Sequence, residues 1–402
     1  MELRFTDEER AFRQEVREWI DANLPADTRE RMASGRTPTK AMQVDWQKRL
    51  YAKGWAVPHW AVEWGGQPWT AIKRFILSEE IQSTPAPSPL GFNCNMLGPV
   101  LIAFGTEEQK KFFLPKLASL DLWFCQGFSE PGAGSDLASL KTRAVKEGDH
   151  YIVNGQKTWT TLAQHADWIF LLVRTDPGAA KQQEGISFLL VDMNTPGITV
   201  RPIITIDGAH EVNEVFFDDV KVPVANLVGT ENRGWDCAKF LLSNERTGQA
   251  RVGASKERIR RLKLIAKEAP GGARPVMEDP RFRSRLTDVE VQLKALEMTT
   301  LRVLADENRQ LSRGKPNPAS SVLKIRGTEL QQAISELYVM AAGPYGLAAP
   351  NDPEADGRNE PDVAQDWQTL AQATYFNWRK QTIYGGSTEI QKNIMAKAFL
   401  GL

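Results

Sequence analysis

Between residues 122 and 230 the chain is written in short β-branched runs separated by turns, while the sequence on either side is helical in pattern, and that order leaves few folds open. The β runs are Tyr151-Ile152-Val153, residues 168–173, residues 186–191 and residues 214–217. Their spacing suits antiparallel strands joined by hairpins, with Asn154-Gly155 as the strongest turn signal, and predicts a small all-β barrel or sandwich. Ahead of it, Thr6 and Glu9 form a capping-box pattern before Phe12, Val16 and Ile20, and Pro25 closes that helix. Gly65-Gly66 and residues 85–89 mark loops, and Thr106-Glu107-Glu108-Gln109 opens a further helix. After Gly234 helical spacing returns at 240–242, 286–296 and 322–340, broken at 270–280 and by a polar, Pro-rich loop at 348–361. The expected organisation is an α+β multi-domain chain: an N-terminal helical domain at 1–121, a central antiparallel β domain at 122–232 and a C-terminal helical domain at 233–402.

Composition narrows the partners. A chain of 402 residues exceeds one ordinary core, and its 12 Trp and 17 Phe can fill several. Lys plus Arg equals Asp plus Glu at 50 each, so bulk charge favours neither nucleic acid nor an anionic membrane. The three cysteines, Cys94, Cys125 and Cys237, are far apart, which predicts reduced thiols and no disulfide framework. The four histidines, His59, His150, His165 and His210, lack metal-ligand spacing. The first 20 residues are charged throughout, which predicts neither a signal peptide nor a membrane span, and a cytoplasmic location follows.

Two motifs carry chemistry. In Ser129-Glu130-Pro131-Gly132-Ala133-Gly134-Ser135-Asp136, small residues let backbone N–H groups approach an anion or a carbonyl. Such loops are commonly plain turns. In Asn154-Gly155-Gln156-Lys157-Thr158-Trp159-Thr160-Thr161, an aromatic and two hydroxyls follow a turn, which suits the flat face and polar edge of an isoalloxazine ring. Tryptophan in a strand is as often core.

Taken with Glu214-Val215-Phe216-Phe217-Asp218-Asp219-Val220-Lys221-Val222-Pro223 and Ile383-Tyr384-Gly385-Gly386-Ser387-Thr388-Glu389-Ile390-Gln391, these motifs resemble the acyl-CoA dehydrogenase family in order and spacing across nearly the whole chain. The resemblance implies that the C-terminal domain is a four-helix bundle, that the cofactor is FAD, and that an acyl-CoA thioester is dehydrogenated between its α and β carbons to the trans-2-enoyl-CoA. It also implies that the electrons pass to an electron-transfer flavoprotein and that the protein is an oligomer. It places Gln126, Phe128, Ser129, Ser135, Trp159, Thr160, Thr161, Ser387, Thr388 and Glu389 at the flavin. Ser135, Asn244, Arg246, Tyr384 and Gly385 fall at the substrate, with Arg246 toward the CoA nucleotide.

Such a reaction requires a carboxylate to remove the α proton. Many members carry it directly after the tyrosine of the last motif, where this chain has Gly385. A branch resembling isovaleryl-CoA dehydrogenase carries it before the CoA-binding arginine instead, and Glu245 stands there. Gly385 then leaves room for a bulky or branched acyl group. The family's Arg-x-x-Phe-Gly segment, which reaches FAD in a neighbouring subunit, is missing from 271–280, where Arg274 is a possible substitute, and the Gly-rich segment at 342–346 is altered. Both departures resemble subunits of bacterial heteromeric dehydrogenases acting on dicarboxylic or steroid side-chain thioesters; homo- and hetero-oligomer both stay open. Two other readings of the same residues are a flavin monooxygenase or oxidase and a non-catalytic subunit completing a partner's site.

Overall fold

The computed structural model describes residues 5–244, 250–269, 271, 274–310, 319–348 and 364–401. Six helices come first: α1 (Asp7–Asn23), α2 (Ala26–Ala33), α3 (Lys40–Ala52), α4 (Ala71–Gln82), α5 (Gly98–Phe104) and α6 (Glu107–Ser119). The strands follow as β1 (Phe124–Gly127), β2 (Arg143–Glu147), β3 (His150–Thr161), β4 (Trp168–Arg174), β5 (Ile186–Asp192), β6 (Ile198–Ile204), β7 (His210–Pro223) and β8 (Leu227–Val228). Helices resume with α7 (Gly234–Asn244), α8 (Val252–Glu268), α9 (Pro280–Gln310), α10 (Ser320–Ala342), α11 (Asp366–Trp378) and α12 (Thr388–Met395). The helical, β, helical order expected from the sequence is therefore the observed one. Most of the expected loop at 348–361 lies outside the described residues.

The folded chain divides into two compact units, one of Met1–Thr39, Trp69–Ser88 and Arg246–Leu402, the other of Lys40–Pro68 and Pro89–Glu245. In the first, α1 begins at the capping box read from the sequence: the Thr6 hydroxyl accepts from Glu9 N at 3.2 Å and the Glu9 carboxylate accepts from Thr6 N at 2.8 Å. Phe12, Val16 and Ile20, one helical turn apart, are its buried stripe. Farther along, α10 packs on α8, α9 and α11 around Leu262, Phe282, Leu293, Leu323 and Ile334. A buried charge network ties these helices to the N-terminal ones. Glu79 meets Arg13 at 2.7 Å and also meets Lys256, and Lys256 reaches Glu297 at 2.7 Å.

The second unit is built on one sheet in the order β6-β7-β3-β2-β4-β5-β8, with β1 added on β4. Tyr151, Val153, Ile169, Leu171, Leu189 and Val215 fill its core. Most neighbours run antiparallel, but β1 and β2 both pair with β4 in parallel. Those parallel pairs join segments distant in sequence and leave no local signal.

One sequence expectation is corrected here. Asn154-Gly155 is not a hairpin turn; it lies inside β3, and the chain reverses between β2 and β3 at Gly148, whose φ is +62°. The pair forms a bulge against β7. There Asn154 accepts from Asp219 N at 2.9 Å and donates to the Asp219 carboxylate at 2.9 Å. A Cβ on Gly155 would lie 2.7 Å from Thr142 Cα, so glycine is required by close approach.

Candidate functional site

The 129–136 loop is fixed by a buried ion pair. Residues 151, 153 and 157 of β3 all point inward, and the last of them is lysine, with 0% of its side chain exposed. Its ammonium donates to the Glu130 carboxylate at 2.8 Å and to Phe128 O at 3.0 Å. Glu130 also accepts from Lys141 N at 2.6 Å and Thr142 N at 2.8 Å, which leaves its carboxylate fully engaged. Thr158 N donates to Ser129 O at 2.9 Å, and Glu130 and Ala133 exchange two backbone bonds of 3.0 Å that close the turn. Burial pushes the Glu130 carboxyl up, but the Lys157 charge and these hydrogen bonds outweigh it and hold it below its usual range. Burial brings the Lys157 ammonium down to about 8 against the pull of Glu130. Glu130 and Lys157 stand in separate motifs of the sequence, 27 residues apart, and nothing local pairs them. The available signal was a charged residue at an inward strand position.

Just beyond this anchor, pairing with β7 shifts between Lys157 and Thr160. At the shift Trp159 adopts φ +57°, a left-handed conformation uncommon for a bulky residue, and its side chain is 60% exposed. Trp159 is thus not a core tryptophan. Thr160, next in the chain, is buried, and its hydroxyl has no hydrogen-bond partner among the described residues. Thr161 is half-buried.

Neither Gly132 nor Gly134 has an atom within 4 Å of where a Cβ would stand, and neither has a positive φ. No described residue therefore demands glycine there, and the bare loop backbone is open to a ligand. Ser135 is exposed, and Ser129 and Gln126 are half-buried. The Phe128 ring packs into the core against Phe170 and Phe188, so this residue presents its backbone to the loop rather than its ring. An exposed aromatic plane, an unsatisfied buried hydroxyl and an open glycine loop, all carried by one unit, fit the flat ring and polar edge of a flavin.

In the other unit, Tyr384, Gly385 and Ser387 lie in the turn leading into α12, and Thr388 and Glu389 open that helix. Gly385 and Gly386 have φ of +62° and +82°. The Gln391 side-chain amide donates to both of their carbonyls at 3.4 Å. A Cβ on Gly386 would sit 2.4 Å from that amide nitrogen. Ser387 caps α12, its hydroxyl accepting from Ile390 N at 3.4 Å, and Thr388 is half-buried. The exposed Glu389 is held below the usual carboxylate range by its own backbone N–H and the Ser387 hydroxyl. Tyr384 is 44% exposed. Asn244 is the last residue of α7, and Glu245 and Arg246 lie outside the described residues.

Among the described residues no group of three or more His, Cys, Asp or Glu is placed to hold a metal ion, and no helix is long and apolar enough to cross a membrane. All three cysteines are buried, and burial pushes the Cys94 and Cys237 thiols up to about 12.

Comparison with known proteins decides the family. The profile of the acyl-CoA dehydrogenase N-terminal domain matches residues 6–121, that of the middle domain residues 125–220, and that of the C-terminal domain residues 232–400. The chain belongs to the acyl-CoA dehydrogenase family. It is similar to the acyl-CoA dehydrogenase IpdE1 of Mycobacterium tuberculosis, with 36% identity over 97% of each chain. The crystal structure of the ChsE4-ChsE5 complex from Mycobacterium tuberculosis superposes with a TM-score of 0.83 at 31% identity, covering 100% of this chain and 99% of that one. A structure described as the Tcur3481-Tcur3483 steroid ACAD superposes equally well, TM-score 0.83 at 30% identity, over 100% and 99% of the two chains. This dehydrogenase is accordingly an oxidoreductase of a flavoprotein family.

Proposed function

We propose that this dehydrogenase uses FAD to oxidise an acyl-CoA thioester between its α and β carbons, releasing the trans-2-enoyl-CoA and passing electrons to an electron-transfer flavoprotein in the cytoplasm. The observation that carries the proposal is the run Lys157 to Thr161, where a buried ammonium fixes the loop, a strained Trp159 faces outward and Thr160 keeps an unsatisfied hydroxyl. The flavin-binding residues are Gln126, Ser129, Ser135, Trp159, Thr160 and Thr161 of the β domain, with the Phe128 backbone, and Ser387, Thr388 and Glu389 of the C-terminal motif. Bound FAD supplies a two-electron acceptor.

Glu245 removes the α proton of the thioester, and Asn244 and Arg246 bind the CoA portion. Gly385, beside Tyr384, has no side chain to take the base's role and leaves space for a large acyl group. A bulky acyl portion is supported by the likeness to the structure described as a steroid ACAD. The chain works as three modules, 1–121, 122–232 and 233–402, and assembles with a companion dehydrogenase-like chain. Missing Arg-x-x-Phe-Gly sequence and the altered 342–346 segment support that assembly, as does the likeness to a two-component complex. Anaerobic titration of the purified holoenzyme with a panel of acyl-CoA thioesters tests the reading. Bleaching of the oxidised flavin by one of them is expected; a protein that takes up FAD and is bleached by no thioester, with or without a companion chain, refutes it.

A further inference from the structure

Arg258, on α8, is a half-buried cation with no ion-pair partner among the described residues. Its guanidinium carbon stacks 3.7 Å from the centre of the Trp378 ring. Its Nη1 is out of solvent and has no hydrogen-bond partner among the described residues. No described carboxylate forms an ion pair with it. On the same helix Glu257 is taken by Arg260, through two bonds of 2.7 Å, and on α10 Glu336 is taken by Arg285 and Arg379.

The groups that face Arg258 increase the positive charge. Arg261 lies three residues on along the same side of α8 and Arg251 precedes the helix at its N-cap, and both add repulsion to the cost of burial. The remaining neighbours are Tyr338, whose hydroxyl donates to Arg258 O at 2.8 Å, and Tyr384. Burial, with the neighbouring arginines, brings the guanidinium down to about 9, which still leaves it charged at neutral pH. A buried charge without a counter-ion destabilises a fold, and stacking on an aromatic ring returns only part of that loss. Persistence of such a charge is explained if the missing partner arrives with a ligand.

We infer that Arg258, flanked by Arg251 and Arg261 and backed by Trp378, is a binding site for an oxyanion of the substrate, presented as a carboxylate or phosphate that its planar fork can grip. The inference rests on the reading of the protein as an acyl-CoA dehydrogenase, because Tyr384 belongs to the proposed substrate turn and is a near neighbour of Arg258. Two parts of an acyl-CoA can supply the group: a carboxylate at the far end of the acyl chain, or a phosphate of CoA itself.

The test compares the holoenzyme with Arg258→Met and Arg258→Lys against three ligands: a plain acyl-CoA, an ω-carboxyacyl-CoA of the same length, and free CoA. Dissociation constants come from thermal shift and from flavin perturbation. If the acyl end carries the anion, Arg258→Met lowers the preference for the ω-carboxy thioester over the plain one by roughly ten- to hundredfold, the range a charged hydrogen bond spans, with Arg258→Lys between. If CoA carries it, affinity for free CoA and for both thioesters falls by the same factor. In either case ligand-free Arg258→Met melts no lower than wild type, because an uncompensated charge has been removed. Unchanged affinity for all three ligands refutes the inference, as does a lower ligand-free melting temperature with the preference intact. Failure of every thioester to bleach the flavin would count against the dehydrogenase reading instead, and binding by thermal shift would still decide the anion site.

Discussion

Replacing Lys157 by Met tests whether the buried pair with Glu130 is what fixes the 129–136 loop. Methionine keeps the aliphatic stem and removes the ammonium, so packing changes little and the electrostatics change completely. Glu130, only 8% exposed, is then a carboxylate with two backbone N–H donors and, of positive charge, only that of Arg174, with which it forms no ion pair. Phe128 O loses its donor at the same time. Removing one partner of a buried pair costs about 3–5 kcal/mol, well above the roughly 0–1 kcal/mol of an exposed one. Urea unfolding of the ligand-free protein should show a loss of that size, and limited proteolysis should cut first within 129–136. The loss should also depend on pH. In wild type the folded Glu130 carboxyl lies below its ordinary range, so the stability it contributes is present at neutral pH and disappears as pH falls through the folded value. In Lys157→Met that carboxyl shifts upward, so the deficit relative to wild type shrinks on acidification. A loss under about 1 kcal/mol at neutral pH, or one that does not change between neutral and acid pH, would show that the pair is not the anchor.

Three further outcomes follow from the same geometry. Trp159→Gly relieves a left-handed φ of +57° and should leave the ligand-free protein as stable or more stable, by up to about 1–2 kcal/mol, while FAD content after gel filtration drops; unchanged FAD content would rule out the flavin contact. Glu245→Gln should cut turnover at least about a hundredfold with FAD content unchanged, and near-normal turnover would place the base elsewhere. Expressed alone, the chain should carry well under one FAD per chain and gain it on co-expression with a companion chain, a stoichiometry that mass and flavin absorbance measure together.

What the sequence disclosed divides by the range of the interactions involved. The capping box at Thr6/Glu9 and the helix start at Thr106 were legible because the groups that make them lie within a few residues of one another. The four motifs that carry the family resemblance were legible because each is continuous. Asn154-Gly155 was misread because glycine serves a hairpin turn and a bulge equally well, and only the partner strand, through Asp219, decides between them. The parallel pairing of β1 with β4 and the bond from Lys157 to Glu130, 27 residues apart, are long-range and have no local signature.

Local rules fail together at one place in the β unit. A lysine is fully buried at 157, a tryptophan takes a left-handed conformation and faces out at 159, and a hydroxyl is buried without a partner at 160. Each costs stability alone, and no packing need of the sheet asks for the second or the third. Proteins commonly break such rules where a site must be held ready before its ligand arrives. Here the costs are ordered along the strand: Lys157 fixes the loop, the register shift after it turns Trp159 outward, and Thr160 is left with an unmet hydrogen bond. A strand that kept its alternation would have sent residue 159 inward, to the same face as Lys157, with ordinary backbone, and the shift that turns it outward shows that a particular orientation is being imposed. Arg258 repeats the pattern in the helical unit, a charge whose Nη1 has no partner among the described residues. The two clusters make opposite demands, a flat apolar surface in one and an anion in the other, and an acyl-CoA dehydrogenase must meet both kinds, since its flavin offers a planar ring and its substrate carries oxyanions.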